Sequence, residues 1–483
     1  MRPVLAGMLI AFTVAAQENG PAPEAISIGF DGVLEGVREL LDSVDTLGPV
    51  DLDLAEEGEP LVLSARDAVH KALDTAPRII GAEADAAAQR ALQGQARSQY
   101  LPQVMVQSGY SYLENPSQGF GGGFLTRLVV PGGIEVDDIQ RADSLKVQQL
   151  VFAGGSIRAA VRAAGYLAES KEWQRNATRN DVEFETKRAY YDCLLSLALV
   201  QVAEDSVTTF ERHRRDSQLK LDAGLASRFE VLRAETELGS READVVEARN
   251  RVRLAYAALR RLLAVDQEQR LALTDTIPWV PLEVSADQLA SNAVETRPEI
   301  RALRAVAEAS RNDVKRVKGS YFPKVAASAE WANVEGGGSF SLEGWQLRLG
   351  AELEIFTGGR RRFEKKEAEA KVRSAESQIE EVKLLIELEV RQALIQVQDA
   401  IAKFRREEGN VELADEGQRL AELRFQEGVG TQADVLDSEL ALTNAETQLV
   451  LALRDYAVAH AALDKATGKS WFPLEEQAAD SEE

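Results

Sequence analysis

From Trp345 to Ile355 the chain alternates without a break. Trp345, Leu347, Leu349, Ala351, Leu353 and Ile355 fall on one face, and Gln346, Arg348, Gly350, Glu352 and Glu354 on the other. A strict period of two over ~11 residues is the pattern of a tilted β-strand with lipid on one side and water on the other. Residues 103–113 (QVMVQSGYSYL) repeat it, with Val104, Val106, Tyr110 and Tyr112 on one side. Residues 324–334 follow it more weakly, and 144–152 (SLKVQQLVF) lose the alternation midway. The predicted strands are therefore 103–113, 144–152, 324–334 and 345–356.

Elsewhere the period is helical. Ala368, Val372, Ala375, Ile379, Val382, Ile386, Val390, Ala393, Val397, Ala400 and Phe404 step by three and four, the stripe of a helix packed on a helix. No proline interrupts the pattern from Gly155 to Gly224 or from Gly359 to Gly428. At 1.5 Å per residue each run predicts a rod of about 100 Å. After each glycine a shorter helix of ~37 residues should run back, and a leading helix of ~22 residues precedes each strand pair, so the simplest packing sets one long helix against two stacked shorter ones. Such a stripe alone also fits a plain coiled coil; the alternating segments argue against that.

These parts occur twice in the same order. TAPRIIGAEADAAAQRALQGQARSQYLPQV (75–104) parallels TRPEIRALRAVAEASRNDVKRVKGSYFPKV (296–325), and QLVFAGGSIR parallels ELEIFTGGRR. The chain divides into two repeats, 62–265 and 285–468, joined by a proline-bearing linker at 266–284. Residues 1–16 read as a secretory signal ending at Ala16, 17–61 as an unexplained extension, and 469–483 as an acidic tail. Four strands cannot close a barrel, and open strand edges are not tolerated in lipid, so several copies should complete one barrel.

Composition narrows the chemistry. A net charge of −23 argues against nucleic acid and anionic membrane surfaces. The single cysteine, Cys193, rules out an internal disulfide. No apolar run of ~18 residues is visible, so no transmembrane helix is expected. His70, His213 and His460 have no metal-like spacing, and TGKS (467–470) lacks the glycine that a phosphate loop needs five residues earlier. GFGGGF (119–124) and EGGGS (335–339) read as loops between strands. No catalytic residue, metal or cofactor is expected.

The duplicated order, the FxGG breaks at Phe152–Gly155 and Phe356–Gly359, the YLP and YFP entries to the strands, and the paired turns GLASRFEVL and GVGTQADVLD resemble the TolC family of outer membrane efflux proteins. The resemblance spans about 62–468. It implies a homotrimer in which each protomer gives four strands to a 12-stranded outer membrane β-barrel, continued by an α-helical barrel through the periplasm. It further implies a passive exit duct whose closed periplasmic end opens when a periplasmic adaptor and an inner membrane pump of the RND or ABC type dock. The competing readings are a periplasmic adaptor and a structural coiled-coil protein; two hairpins and four amphipathic strands argue against both.

The paired turns carry the candidate site. Ser227-x-x-Glu230 and Thr431-x-x-Asp434 both have capping-box spacing after a glycine break. Capping does not require Asp437, because the earlier copy has Arg233 there. The resemblance makes Asp434 and Asp437 rings of a periplasmic constriction, and Phe425, Gly430 and Glu230 part of its gate. Where the family often has a tyrosine and an arginine, Phe425 and Gly430 supply neither hydroxyl nor guanidinium, which puts a polar clamp in doubt. The resemblance also makes Gly224, Leu225, Val231, Leu232, Gly428, Val429, Val435 and Leu436 the turns on which an adaptor docks.

Overall fold

The computed structural model describes residues 60–112, 139–275, 286–336 and 340–468. The expected signal segment, almost all of the extension, the GFGGGF loop, most of the EGGGS loop, the second half of the linker and the acidic tail lie outside the described residues. Each half opens with a helix pair: α1 (Ala65–Thr75) and α2 (Pro77–Ser98) in the first, α5 (Ala286–Thr296) and α6 (Pro298–Gly319) in the second. Two strands follow in each, β2 (Gln103–Tyr112) and β3 (Ile139–Ala153), then β5 (Lys324–Gly336) and β6 (Phe340–Glu352). The long helices are α3 (Ser156–Asp222) and α7 (Arg360–Gln426), and the returning ones α4 (Arg228–Leu263) and α8 (Gln432–Thr467). Corresponding helices match in length, 22 residues for α2 and α6, 67 for α3 and α7, and 36 for α4 and α8.

Small side chains set the helix packing. Every position of the predicted stripe on α7 is buried or half-buried, from Ala368 to Phe404. The helices form a row, with α4 against α3, α3 against α8, and α8 against α7. The leading helices depart from the simplest packing: α2 lies on α3 as expected, but α6 touches both α3 and α7 and bridges the two halves. One correction concerns the membrane. α3 does carry an 18-residue window of mean hydropathy 1.3, but half of it is buried. The apolar residues of its middle, Tyr190, Cys193, Leu194 and Leu197, are core residues of the helical body.

Two features at this level had no visible signal. β1 (Leu61–Leu63) pairs in parallel with β4 (Leu271–Leu273), strands too short to show a period. The buried Tyr190 hydroxyl clamps them, donating to the Leu63 carbonyl at 3.1 Å and accepting from the Asp275 amide at 3.2 Å. Burial and the nearby Asp275 carboxylate push the Tyr190 phenol far above its ordinary range, so it stays neutral. One turn before Tyr190, Lys187 is buried between Glu183 (2.9 Å) and Asp464 (3.1 Å), fixing the last turn of α8 on α3.

The sheet order is β2-β3-β5-β6, antiparallel throughout. Cross-strand register collects one apolar face: Val104 opposite Val147, Val106 opposite Leu145, Ala327 opposite Leu349, Ala329 opposite Leu347, and Trp331 opposite Trp345. Trp345, Leu347 and Leu349 on this face are 66 to 79% exposed. The other face places Lys146 opposite Glu330 and Lys324 opposite Glu352. The broken alternation in β3 has a physical cause. A bulge sits between Leu150 and Phe152, and Gln149, on the apolar face, turns its amide to the Tyr100 and Leu150 carbonyls. Two predicted boundaries are corrected. β3 begins at Ile139 rather than 144, and β6 runs from Phe340 to Glu352 rather than 345–356. At Ile139 the ladder continues into mostly polar sequence, at Phe340 it continues into residues whose apolar members change from odd to even positions, and at Glu352 it stops although the alternation runs on through Leu353 and Ile355.

At the junction of sheet and rod the backbone is crowded. Gly154 has φ +59°, and a Cβ there would lie 2.3 Å from the Gly319 carbonyl oxygen. Glycine meets both requirements, a left-handed backbone and the absence of a side chain. Here the start of α3 rests on the end of α6.

Candidate functional site

The two hairpin tips are built alike. α3 ends at Asp222, and Gly224 takes φ +71° so that Leu225 and Ala226 can donate back to the Lys220 carbonyl. α7 ends at Gln426, and Gly428 takes φ +73° while Val429 and Gly430 donate to the Arg424 carbonyl. Left-handed glycine after the last turn is the standard solution for stray helix carbonyls. The capping boxes form as their spacing requires. Glu230 and Ser227 exchange bonds, with the Glu230 amide donating to Ser227 Oγ at 3.4 Å. Thr431 N donates to Asp434 Oδ2 at 2.8 Å, and Asp434 N donates to Thr431 Oγ1 at 3.2 Å. The Thr431 amide and hydroxyl beside it hold the Asp434 carboxyl below the usual carboxylate range.

Asp434 is therefore a cap, and its side chain is also exposed. Asp437, one turn further along α8, is exposed and takes no part in the capping box. Its counterpart Arg233 is half-buried. Capping explains the first acid and leaves the second for another role.

The expected docking residues separate into two groups. Leu225 and Val429 stand 81% and 71% exposed at the turn apices, and Leu232 is also exposed. Val231, Val435 and Leu436 are buried and offer no surface. Leu436 packs against Phe210 and Leu238, so these residues hold the tips together from inside. Sequence reasoning missed Phe229, which is 72% exposed beside Leu225. Its position inside a helical pattern gave no reason to single it out.

Gly430 is tight: a Cβ there would meet Phe425 N at 3.0 Å and Arg424 Cβ at 3.1 Å. Phe425 lacks the chemistry of a hydroxyl clamp. Its ring lies under the Lys220 ammonium, 3.6 Å from nitrogen to centroid. Gln432 at the start of α8 donates to Ser217 Oγ on α3 at 2.7 Å.

Higher in the same row, carboxylates converge. Glu446 on α8 faces Asp205 of α3 and Asp415 of α7, with Glu439 two turns earlier on its own helix. Glu439 accepts from Gln418 Nε2 at 2.6 Å and lies 3.6 Å from His213 Nε2. Burial first, then these like charges, push the Glu446 carboxyl up to about 7. The sign follows directly. The folded state holds this proton more tightly than the unfolded chain, so stability falls as pH rises between the ordinary carboxylate range and about 7. Melting measured at pH 5 and pH 8 should show a larger loss for the wild type than for Glu446→Gln; equal losses would remove Glu446 as the source.

The model of one family, described as outer membrane efflux protein, matches residues 68–265 and 289–469. The chain belongs to the outer membrane efflux protein family. The efflux protein is similar to a probable efflux pump outer membrane protein, TtgC, of Pseudomonas putida, at 24% identity over 67% of this chain and 68% of the relative. It is similar at 24% identity to the protein CyaE of Bordetella pertussis, over 84% and 85% of the two chains. Among solved structures, the outer membrane protein VceC of Vibrio cholerae superposes with a TM-score of 0.70 at 21% identity, covering 84% of this chain and 96% of that one. Family and fold agree with the geometry: an outer membrane protein whose helices extend into the periplasm, acting as an exit duct for efflux or secretion.

Proposed function

We propose that three copies of this efflux protein close one channel, a passive outer membrane duct gated at its periplasmic end when an adaptor and an inner membrane pump of the RND or ABC type dock. The observation that carries the reading is the pair of unpaired strand edges. Among the described residues β2 pairs only with β3 and β6 only with β5, so both ends of a lipid-facing sheet lack backbone partners there. The helices agree, because the outermost members of the row expose apolar side chains, Val246 and Leu254 on α4 and Leu384, Ile395 and Leu413 on α7. An edge-to-edge ring of copies would cover both sets at once. The exposed Leu225, Phe229, Leu232 and Val429 lie where a docking adaptor would press, and Asp434 and Asp437 line the constriction beside them. The repeats 62–265 and 285–468 are the units that alternate around the ring.

Light scattering of the detergent-solubilised protein should give the mass of three chains. A monomer that retains its full strand signal in circular dichroism would overturn the proposed assembly. Cross-linking in cells from a residue placed at Val429 should capture an adaptor.

A further inference from the structure

We infer that the helix ends nearest the sheet form a basic collar that recognises anionic phospholipid headgroups of the periplasmic leaflet. The inference goes beyond the proposed duct: it rests on the sheet meeting lipid and needs neither three copies nor a gate. All four crossings between sheet and rod lie at one end of the sheet, where α2 and α6 stop and α3 and α7 begin. The ten helical residues nearest the sheet in each (89–98, 156–165, 310–319 and 360–369) together carry thirteen lysines and arginines against four acids. In a chain of net charge −23 that is a local reversal. The ten residues nearest the hairpin tips (213–222, 228–237, 417–426 and 432–441) show none of it, with seven lysines and arginines against nine acids.

The depth fits. The apolar face reaches this end of the sheet, with Val104 opposite Val147 and Val325 opposite Ala351, so the hydrocarbon boundary falls at the crossings. An exposed aromatic stands at each of them: Tyr100, Phe152, Phe322 and Phe356. Such rings sit at the level of lipid headgroups. Arg97, Arg158, Arg162, Lys315, Lys318 and Arg362 lie within seven residues of their helix ends, about 10 Å, and their long side chains can reach the phosphates. All six are exposed, and none has a carboxylate partner among the described residues. Helix stability does not account for them all. Cations favour the ends of α2 and α6 but oppose the dipole at the starts of α3 and α7, neither of which has an acid in its first turn. Glu354 pairs with Arg360 and Arg361 and leaves Arg362 alone. Phosphate oxygens supply the countercharge, and a guanidinium binds them through paired hydrogen bonds.

Spin-labelled lipids test this with the full-length channel reconstituted into phosphatidylcholine vesicles, because electron paramagnetic resonance reads the fraction of each labelled lipid that the protein holds. Phosphatidylglycerol should be preferred over phosphatidylcholine by about threefold to fivefold, and salt at about 1 M should abolish the preference. Arg97→Gln/Lys318→Gln/Arg362→Gln should bring the ratio below about twofold at low salt. Arg97→Lys/Lys318→Arg/Arg362→Lys, which keeps the charges, should stay near wild type. Arg214→Gln/Arg215→Gln, at the far end of α3, should not change it. Oligomer melting on gels checks that the variants assemble. No preference in the wild type, or one that survives both the salt and the triple substitution to glutamine, would overturn the collar and leave the duct intact. A triple variant with wild-type lipid preference and an altered cation-to-anion permeability ratio would place these cations in the lumen and overturn the collar equally. If neither labelled lipid is held, the sheet does not meet lipid and the collar falls with it.

Discussion

Channels carrying Asp437→Ala are expected to lose cation selectivity while keeping wild-type melting. In the proposed ring three copies bring three carboxylates to one level, and a single substitution removes all three. The cation-to-anion permeability ratio should fall by about threefold to tenfold. Block by multivalent cations from the periplasmic side should weaken for the same reason. Asp434→Asn should behave differently. It removes a charge but leaves an oxygen that Thr431 N can still reach, so the cap weakens without collapsing. Arg233, half-buried at the equivalent place in the first hairpin, should have the smaller effect on ion flow when changed to alanine. Selectivity and block unchanged in Asp437→Ala would show that this aspartate does not line the narrow ring.

The second large effect concerns the sheet. Leu349 stands opposite Ala327 in the middle of the apolar face, so Leu349→Arg should hinder insertion by about 2–4 kcal/mol near the bilayer midplane. The wet face supplies the control. Gln346→Arg puts its cation opposite Glu330 and should insert as wild type. Glu352→Arg is a poorer control than its polarity suggests, because Lys324 sits directly across the ladder. Refolding into vesicles, titrated with urea, measures all three. Equal insertion of Leu349→Arg and wild type would mean that this face does not meet lipid.

Much of the architecture could be read from residue order. The glycines at 155, 224, 359 and 428 punctuate the rods, and the stripe from Ala368 to Phe404 named the packed face of α7 residue by residue. Strand ends were legible only where lipid imposes alternation. At Ile139 the ladder runs on through Gln140, Arg141, Asp143 and Ser144, polar at both odd and even positions, and at Phe340 the apolar residues Phe340 and Leu342 fall at even positions, out of phase with Trp345, so no single period reaches either edge. The candidate site divides in the same manner. Capping boxes are local and were visible at Ser227 and Thr431. Whether Val231, Val435 and Leu436 point outward depends on how two hairpins lean together, and the apolar character that made them candidate docking residues is also what buries them. The pairing of Lys220 with Phe425 joins residues 205 positions apart and leaves no trace in either neighbourhood.

The contact of Gly154 with Gly319 sits at one end of a rod, and rods are levers. α3 has 67 residues, so a tilt of one degree about that point displaces its far end by about 1.7 Å. A widening at the periplasmic mouth thus demands almost no movement where the rod leaves the bilayer. The sheet can remain sealed in lipid while the tips travel, and substitution of either glycine would change the fulcrum rather than the gate.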